Sequence, residues 1–273
     1  VEQGTGLVGT CTPNNSIPLR IGAAGNDTGA AGVNAWDGGV DEVALYNTVL
    51  SPADILNHYQ NGTNAARVTP YPTLVQASAP VGYWRLNDPT GPIPPAPSNS
   101  GTLGVAWNGA YAGDTLPGIA GPRPPGQPGL EANNLAVSMT SGYISAPITT
   151  NLNVNTITVA GWLNRAADSS TGDLSWPAWL GDGGMHMVDG TGELRYHWKG
   201  GNWGWASGLF VPADVWTFVA MVIEPTKATF YMADGTNLQT SVNTTAHAAL
   251  AVTSPLGFGG NQPTRGDRNY IGQ

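Results

Sequence analysis

Aromatic and imidazole side chains crowd one stretch of this 273-residue chain. Trp176, Trp179, His186, Tyr196, His197, Trp198, Trp203 and Trp205 all fall between positions 176 and 205, with Arg195 and Asn202 among them. Flat indole faces stack on sugar rings, while Asn, Asp and Arg supply hydrogen bonds to hydroxyls. The candidate carbohydrate-contacting residues are therefore Trp176, Trp179, His186, Arg195, Asn202, Trp203 and Trp205. The run Lys199-Gly200-Gly201-Asn202-Trp203-Gly204-Trp205 reads as a Gly-rich loop, from which an indole is easily exposed. Packing is the competing use of the same residues. Trp162 and Trp216 lie in apolar strands and read as core. Trp198 alternates with His197 and Lys199 and so faces inward, and Trp203 and Trp205 can equally pack on a neighbouring sheet or module.

Catalytic patterns are weak. Asp41 and Glu42 are adjacent, so on a strand they point to opposite faces and cannot flank one bond. No Gly-x-Ser-x-Gly elbow and no His-Glu-x-x-His string occurs. His58, His186, His197 and His247 are isolated; a Tyr–His pair such as Tyr196 with His186 would be needed for lyase chemistry. The single cysteine, Cys11, permits neither an intramolecular disulfide nor a thiolate metal site. It reads as a small buried hydrophobe or an intermolecular partner. Arg265-Gly266-Asp267 is a three-residue match to an adhesion tripeptide and carries no weight. Asn14, Asn26, Asn61 and Asn243 sit in N-x-Ser/Thr sequons.

Composition narrows the classes. Net charge is -8 and there are only 10 Lys and Arg, scattered. Phosphate backbones and anionic lipid surfaces demand clustered cations, so nucleic acid and membrane insertion are excluded as partners. Charged residues make up 10% of the chain, Gly numbers 38 and Pro 22. That profile fits many short strands joined by turns, not helices. It also argues for an extracellular, secreted or cell-surface setting. No apolar run approaches the roughly 20 residues that span a bilayer, and no signal peptide is visible. Beginning at Val1, the chain reads as processed or excerpted.

The elements follow from periodicity. Val43 and Leu45 alternate with Ala44 and Tyr46, which predicts a strand. Ser51 is a natural N-cap, Pro52 a natural first helical residue, and Ile55, Leu56 and Tyr59 share one face. This predicts one short helix near residues 51–60, ended by Asn61-Gly62. Residues 63–72 read as a linker. Residues 83–87 read as a strand, and 88–130 as Pro-rich loop with short strands near 104–111. Beyond Ala136 the expected strands are 143–146, 156–164, 184–188, 194–199, 215–223 and 227–232, separated by turn signals such as Asp234-Gly235. Short strands at this spacing mean a sandwich or barrel. The expected core is Val43, Trp84, Leu86, Val159, Trp162, Trp216, Phe218, Ala220 and Phe230. Pro18-Leu19-Arg20-Ile21-Gly22-Ala23 resembles Pro255-Leu256-Gly257-Phe258-Gly259-Gly260, a long internal period that suggests tandem domains.

Taken in order, these segments resemble the laminin-G-like, concanavalin A-like lectin/glucanase jelly-roll superfamily. Gly39-Val40-Asp41-Glu42-Val43-Ala44-Leu45-Tyr46 with Leu50-Ser51-Pro52-Ala53-Asp54-Ile55 resembles the family's closing element. Val81-Gly82-Tyr83-Trp84-Arg85-Leu86-Asn87-Asp88, followed by Asn108-Gly109-Ala110-Tyr111, resembles its opening element. Thr156 to Trp162, Trp216 to Val222 and Ala228 to Met232 resemble its central strands. The resemblance implies an all-β, two-sheet antiparallel jelly-roll sandwich with one short helix. It implies glycan binding in many members, on the concave face or the loop rims. It also implies Ca²⁺ near a loop at the sandwich end, with Asp41 and Asp88 at the matching positions and Asp27 and Asp37 as loop extras. Calcium takes six to eight oxygens, and no D-x-D-x-D-G string is present. The Glu-x-Asp-x-x-Glu strand of related glycosidases is missing, so no enzyme activity is expected.

The order places the end of one module first. Residues 1–66 read as the C-terminal part of a preceding module, and 67–273 as a module lacking its usual last strand. The chain is then a window on a longer tandem protein, a processed fragment, or a sheet completed by the first tail, within one chain or between neighbours. An incomplete jelly roll leaves an unpaired edge. The expected function is a non-catalytic module of a structural or adhesive assembly built from tandem or strand-complemented repeats. Its partners are copies of itself or adjacent modules. The alternative is a carbohydrate-binding module recognising polysaccharide or glycoprotein glycans through the Trp-rich face.

Overall fold

The computed structural model describes residues 19–21, 36–91, 96–140, 142–146, 152–167, 175–180, 183–188, 190–198, 202–233, 237–252 and 256–258. At 19–21, 152–154, 175–180, 202–203, 250–252 and 256–258 it describes the backbone alone. In chain order the strands are β1 (Leu19–Ile21), β2 (Gly38–Tyr46), β3 (Gly82–Trp84), β4 (Ala110–Ala112), β5 (Thr115–Ala120), β6 (Leu135–Met139), β7 (Tyr143–Ala146), β8 (Leu152–Val154) and β9 (Ile157–Arg165). They continue with β10 (Ser175–Leu180), β11 (Gly183–Val188), β12 (Glu193–Trp198), β13 (Asn202–Phe210), β14 (Thr217–Glu224), β15 (Lys227–Ala233), β16 (Leu238–Asn243), β17 (Leu250–Val252) and β18 (Leu256–Phe258). Two helices, α1 (Pro52–Thr63) and α2 (Tyr71–Ala77), and a 3-10 turn at Gly104–Trp107 complete the described elements.

Two antiparallel sheets form the sandwich. The back sheet runs β16-β15-β14-β9-β2-β6-β5, with β3 added to β2. The front sheet runs β1-β7-β18-β10-β11-β12-β13, with β4 added to β7. The strands β8 and β17 form a separate small ribbon. The back sheet is covered on both faces, so its central strands are apolar throughout rather than alternating with polar residues. In β14, Val219, Met221 and Ile223 join the core between the sheets, while Phe218, Ala220 and Val222 join a second core beneath the helices. The front sheet alternates cleanly at β12: Leu194, Tyr196 and Trp198 are buried, and Glu193, Arg195 and His197 are only partly so.

β2 lies in the middle of the back sheet, between β9 and β6. Residues on either side of position 66 therefore share one sheet.

α1 starts where its cap predicts. Ser51 Oγ accepts from the Asp54 N–H and the Asp54 carboxylate accepts from the Ser51 N–H, a full capping box. The helix runs past Asn61-Gly62, so Gly62 is not its cap. A Cβ there would lie 2.6 Å from Trp162 Cζ2, so glycine makes room for the indole. The second helix, α2, is new relative to the sequence reading. Its prolines, Pro70 and Pro72, look like linker residues, yet they sit at the N-cap and first turn, where no N–H is required.

Two strands contain proline for identifiable reasons. β5 carries Pro117 at an edge of the back sheet. β10 carries Pro177 where its register with β11 shifts between Ser175 and Ala178. All of the expected core is buried except Trp216, which is half-buried at the rim with its ring against Gly39. No helix of the described residues is long and apolar enough to cross a membrane.

Candidate functional site

Two regions hold the chemistry-bearing residues. The first is the seam where β2 meets the body. Two residues of β2, Glu42 and Val43, stand opposite the single Gly161 of β9, and Glu42 adopts a left-handed φ of 51°. This β-bulge cancels the strand alternation. Asp41 stands opposite Trp162, a member of the core beneath the helices. Glu42 accepts a hydrogen bond from the hydroxyl of Tyr83, another member of that core. Both carboxyls therefore lie on the helix-covered face, which corrects the expectation that adjacency sends them to opposite sides.

Each carboxyl is sealed from solvent. Glu42 pairs with Arg85 (Oε1 to Nε 2.9 Å), and Arg85 also reaches Glu131 at 3.2 Å. Burial pushes Glu42 up to about 7, although Arg85 and Tyr83 oppose the shift. Burial, reinforced by the neighbouring Glu42, raises Asp41 well above the usual carboxylate range. Asn134 Nδ2 donates to Asp41 Oδ2 at 2.6 Å and to the Pro122 carbonyl at 3.1 Å. Asp41 Oδ1 and Asn134 Oδ1 are buried with no hydrogen-bond partner. Such oxygens suit a hard cation. Asp88 has a different partner: it is half-buried and accepts from the Tyr111 hydroxyl at 2.5 Å. Among the described residues no group of three or more His, Cys, Asp or Glu converges. Asn134, the partner of Asp41, was not picked out by the sequence. Asp27 lies outside the described residues.

The second region is the outer face of the front sheet. Register sets His186 opposite Arg195, and Trp203 opposite His197. The His186 and His197 rings meet at 4.4 Å, tilted by 62°. Burial pushes His197 down to about 4 and His186 well below its ordinary value, so both are neutral near pH 7. Arg195 is held by Glu193, whose Oε2 accepts from Nε at 2.9 Å and Nη2 at 2.6 Å. Arg195 is about one-third exposed. His186 is buried at 1% exposure and does not reach solvent. The side chains of Trp176, Trp179, Asn202 and Trp203 lie outside the described residues; their backbones belong to β10 and β13.

Trp205 is placed differently from the expected loop platform. It lies in β13 opposite Tyr196, on the inward side, and stacks on Phe230 at 6.3 Å with planes 3° apart. Trp36, Trp84, Trp107, Trp162 and Trp198 are fully buried. Tryptophan abundance here is therefore largely a core property.

The Tyr–His pair also differs from expectation. Tyr196 points inward and His186 outward. The imidazole at the Tyr196 hydroxyl belongs to His247, 2.7 Å away, and Asn243 Nδ2 donates to the same oxygen at 2.8 Å. Burial pushes Tyr196 up to about 12 and His247 below its ordinary value. Both stay neutral, and the trio ties the segment after β16 to the front sheet. Nothing in the sequence signals it, because the partners lie 51 and 47 positions apart.

Comparison with known families agrees with this architecture. Residues 138–273 match the family model of the concanavalin A-like lectin/glucanases superfamily, Laminin_G_3. That part of the chain belongs to this superfamily, and the two-sheet antiparallel sandwich is its fold. No curated protein and no solved structure matches the chain.

Proposed function

We propose that this chain is a non-catalytic laminin-G-like module that serves as a structural or adhesive repeat of an extracellular assembly. One observation carries the reading: a unit lying before the body in sequence, β2 with α1, supplies an interior strand of the body's back sheet, between β9 and β6. A module closed by a segment that precedes its body in sequence is suited to joining others in series. Its acids support the absence of catalysis. Asp41 and Glu42 are sealed beneath the helices and Asp88 is committed to Tyr111, so none of these three acids faces an open cleft as part of a pair. The low charge content supports an extracellular setting. Light scattering over a concentration series tests the reading. Mass rising above the 28.2 kDa chain supports it, and a strict monomer contradicts it.

Carbohydrate binding is the second reading. Arg195, partly exposed and oriented by Glu193, lies on the outer front-sheet face beside His197, with Trp203 in register. Retention on immobilised polysaccharides, lost in both Arg195→Ala and Trp203→Ala, is the outcome this reading requires. Calcium, if taken up, is held by Asp41 Oδ1 and Asn134 Oδ1 and stiffens the seam between β2 and the body.

A further inference from the structure

We propose that the Arg67–Val68 peptide bond is a processing site for a trypsin-type serine protease, and that the cut module stays together as two pieces, 1–67 and 68–273. The proposal stands apart from both the assembly and the carbohydrate readings. It rests on the linker 64–70 between α1 and α2. Asn64, Ala65, Ala66, Val68 and Pro70 are exposed there, Val68 at 97%. Exposed connections of small and polar residues are where proteases nick folded domains, because the backbone must leave its own bonds and lie extended in the protease cleft. The bonds described for this linker are local. The Ala66 N–H donates to Asn64 Oδ1 at 2.9 Å and the Arg67 N–H to the Asn64 carbonyl at 3.2 Å. Asn61 Nδ2 and Arg67 Nη1 donate to the Thr69 carbonyl at 3.0 and 3.4 Å.

The other cations show why this arginine is the suited one. Trypsin-type proteases hold an Arg or Lys side chain in a pocket that ends in a carboxylate. Among the described residues no acid pairs with Arg67, whereas Arg85 is held by Glu42 and Glu131, Arg195 by Glu193 and Lys227 by Glu224. Arg165 lies in β9 at 7% exposure. Arg123 precedes Pro124, and a proline ring on the leaving nitrogen obstructs this class of protease. Water supplies the atoms of the reaction. Its hydroxyl joins the Arg67 carbonyl carbon, its remaining proton goes to the Val68 nitrogen, and the bond between them breaks. The contacts that seat β2 do not depend on that bond. β2 keeps its ladders with β9, β6 and β3 across the cut. Tyr83 and Arg85 still bond Glu42, and His58 Nε2 still meets Ser78 Oγ at 3.2 Å. Cleavage therefore turns a covalent link of the chain into a seam held by sheet and core, which parts only on unfolding.

The test is limited digestion of the full chain by trypsin without denaturant, read by N-terminal sequencing and by size exclusion. A fragment beginning Val68-Thr69-Pro70 is expected, eluting together with the piece that carries β2 and separating from it in urea. Cuts at other Lys or Arg do not obscure this readout, because it is a sequence. Arg67→Gln should lose the Val68 fragment while its urea midpoint stays that of the parent, since the bond described for this side chain is the long one to Thr69. A 67–68 bond that survives trypsin in the native chain, or yields only in urea that unfolds it, overturns the site. A Val68 fragment that elutes apart from β2 without urea overturns the two-piece module.

Discussion

Glu42 and Arg85 form an ion pair across 43 positions of sequence, 2.9 Å from Oε1 to Nε, with the Glu42 side chain fully buried. Tyr83 donates to the other carboxylate oxygen. The pair fastens β2 to the strand that opens the body. A buried ion pair adds little over apolar packing, but losing one partner strands the other in low dielectric. Arg85→Met is therefore expected to lower stability by about 3–5 kcal/mol in urea denaturation. The double variant Glu42→Leu with Arg85→Met recovers much of that loss. Equal losses in the single and double variants would show that the charge pair is not what holds the seam.

Gly62 tests the contact between helix and sheet. Alanine is favoured over glycine inside a helix by about 1 kcal/mol, so propensity alone predicts that Gly62→Ala stabilises. The added Cβ would lie 2.6 Å from the Trp162 ring, and overpacking typically costs about 1–3 kcal/mol. A net loss of stability is expected in thermal melts, with the Trp162 fluorescence environment altered. A gain would mean that α1 does not rest on Trp162.

His58 makes the closing unit sensitive to acid. It is buried in α1, bonded through Nε2 to Ser78 Oγ at 3.2 Å, and burial pushes it down to about 4. A histidine depressed in the folded state contributes stability above its unfolded value near 6.5. That contribution is lost as pH falls through the folded value near 4. The shift corresponds to roughly 3 kcal/mol at full loss. Denaturation midpoints measured from pH 7 to pH 4 should fall, and His58→Gln should flatten the curve. A His58→Gln curve that tracks the parent would assign the acid sensitivity to another group.

Much of the architecture was legible in sequence. β9, β14 and β15 are apolar on both faces because the back sheet is covered twice, and α1 announces itself through Ser51, Pro52 and Asp54. The helix α2 was hidden because Pro70 and Pro72 look like linker residues until they are placed in a first turn. The shared face of Asp41 and Glu42 depends on a bulge at a non-glycine residue with left-handed φ, which no periodicity announces. The Tyr196–His247–Asn243 trio joins distant segments and leaves no local pattern. The Trp cluster misled in part, since Trp205 packs against the core, while the inward placement of Trp198 follows from its alternation with His197 and Lys199.

Calcium, as proposed, would act at the seam. Buried Asp41 Oδ1 and Asn134 Oδ1 have no partner, and a bound cation would both satisfy them and ionise Asp41. A ligand at 100 times its Kd stabilises by about 2.7 kcal/mol. A higher melting temperature in calcium than in chelator is expected, with the difference abolished by Asp41→Asn. Identical melts in both conditions would exclude calcium from this site.

Native-state hydrogen exchange at β2 tests the central claim most directly. If the segment before the body is the middle strand of its sheet, the paired β2 amides exchange only with global unfolding, at the same free energy as those of β9 and β14. Exchange of β2 at the rate of exposed peptide, with β9 and β14 still protected, would contradict a module closed by its own leading segment.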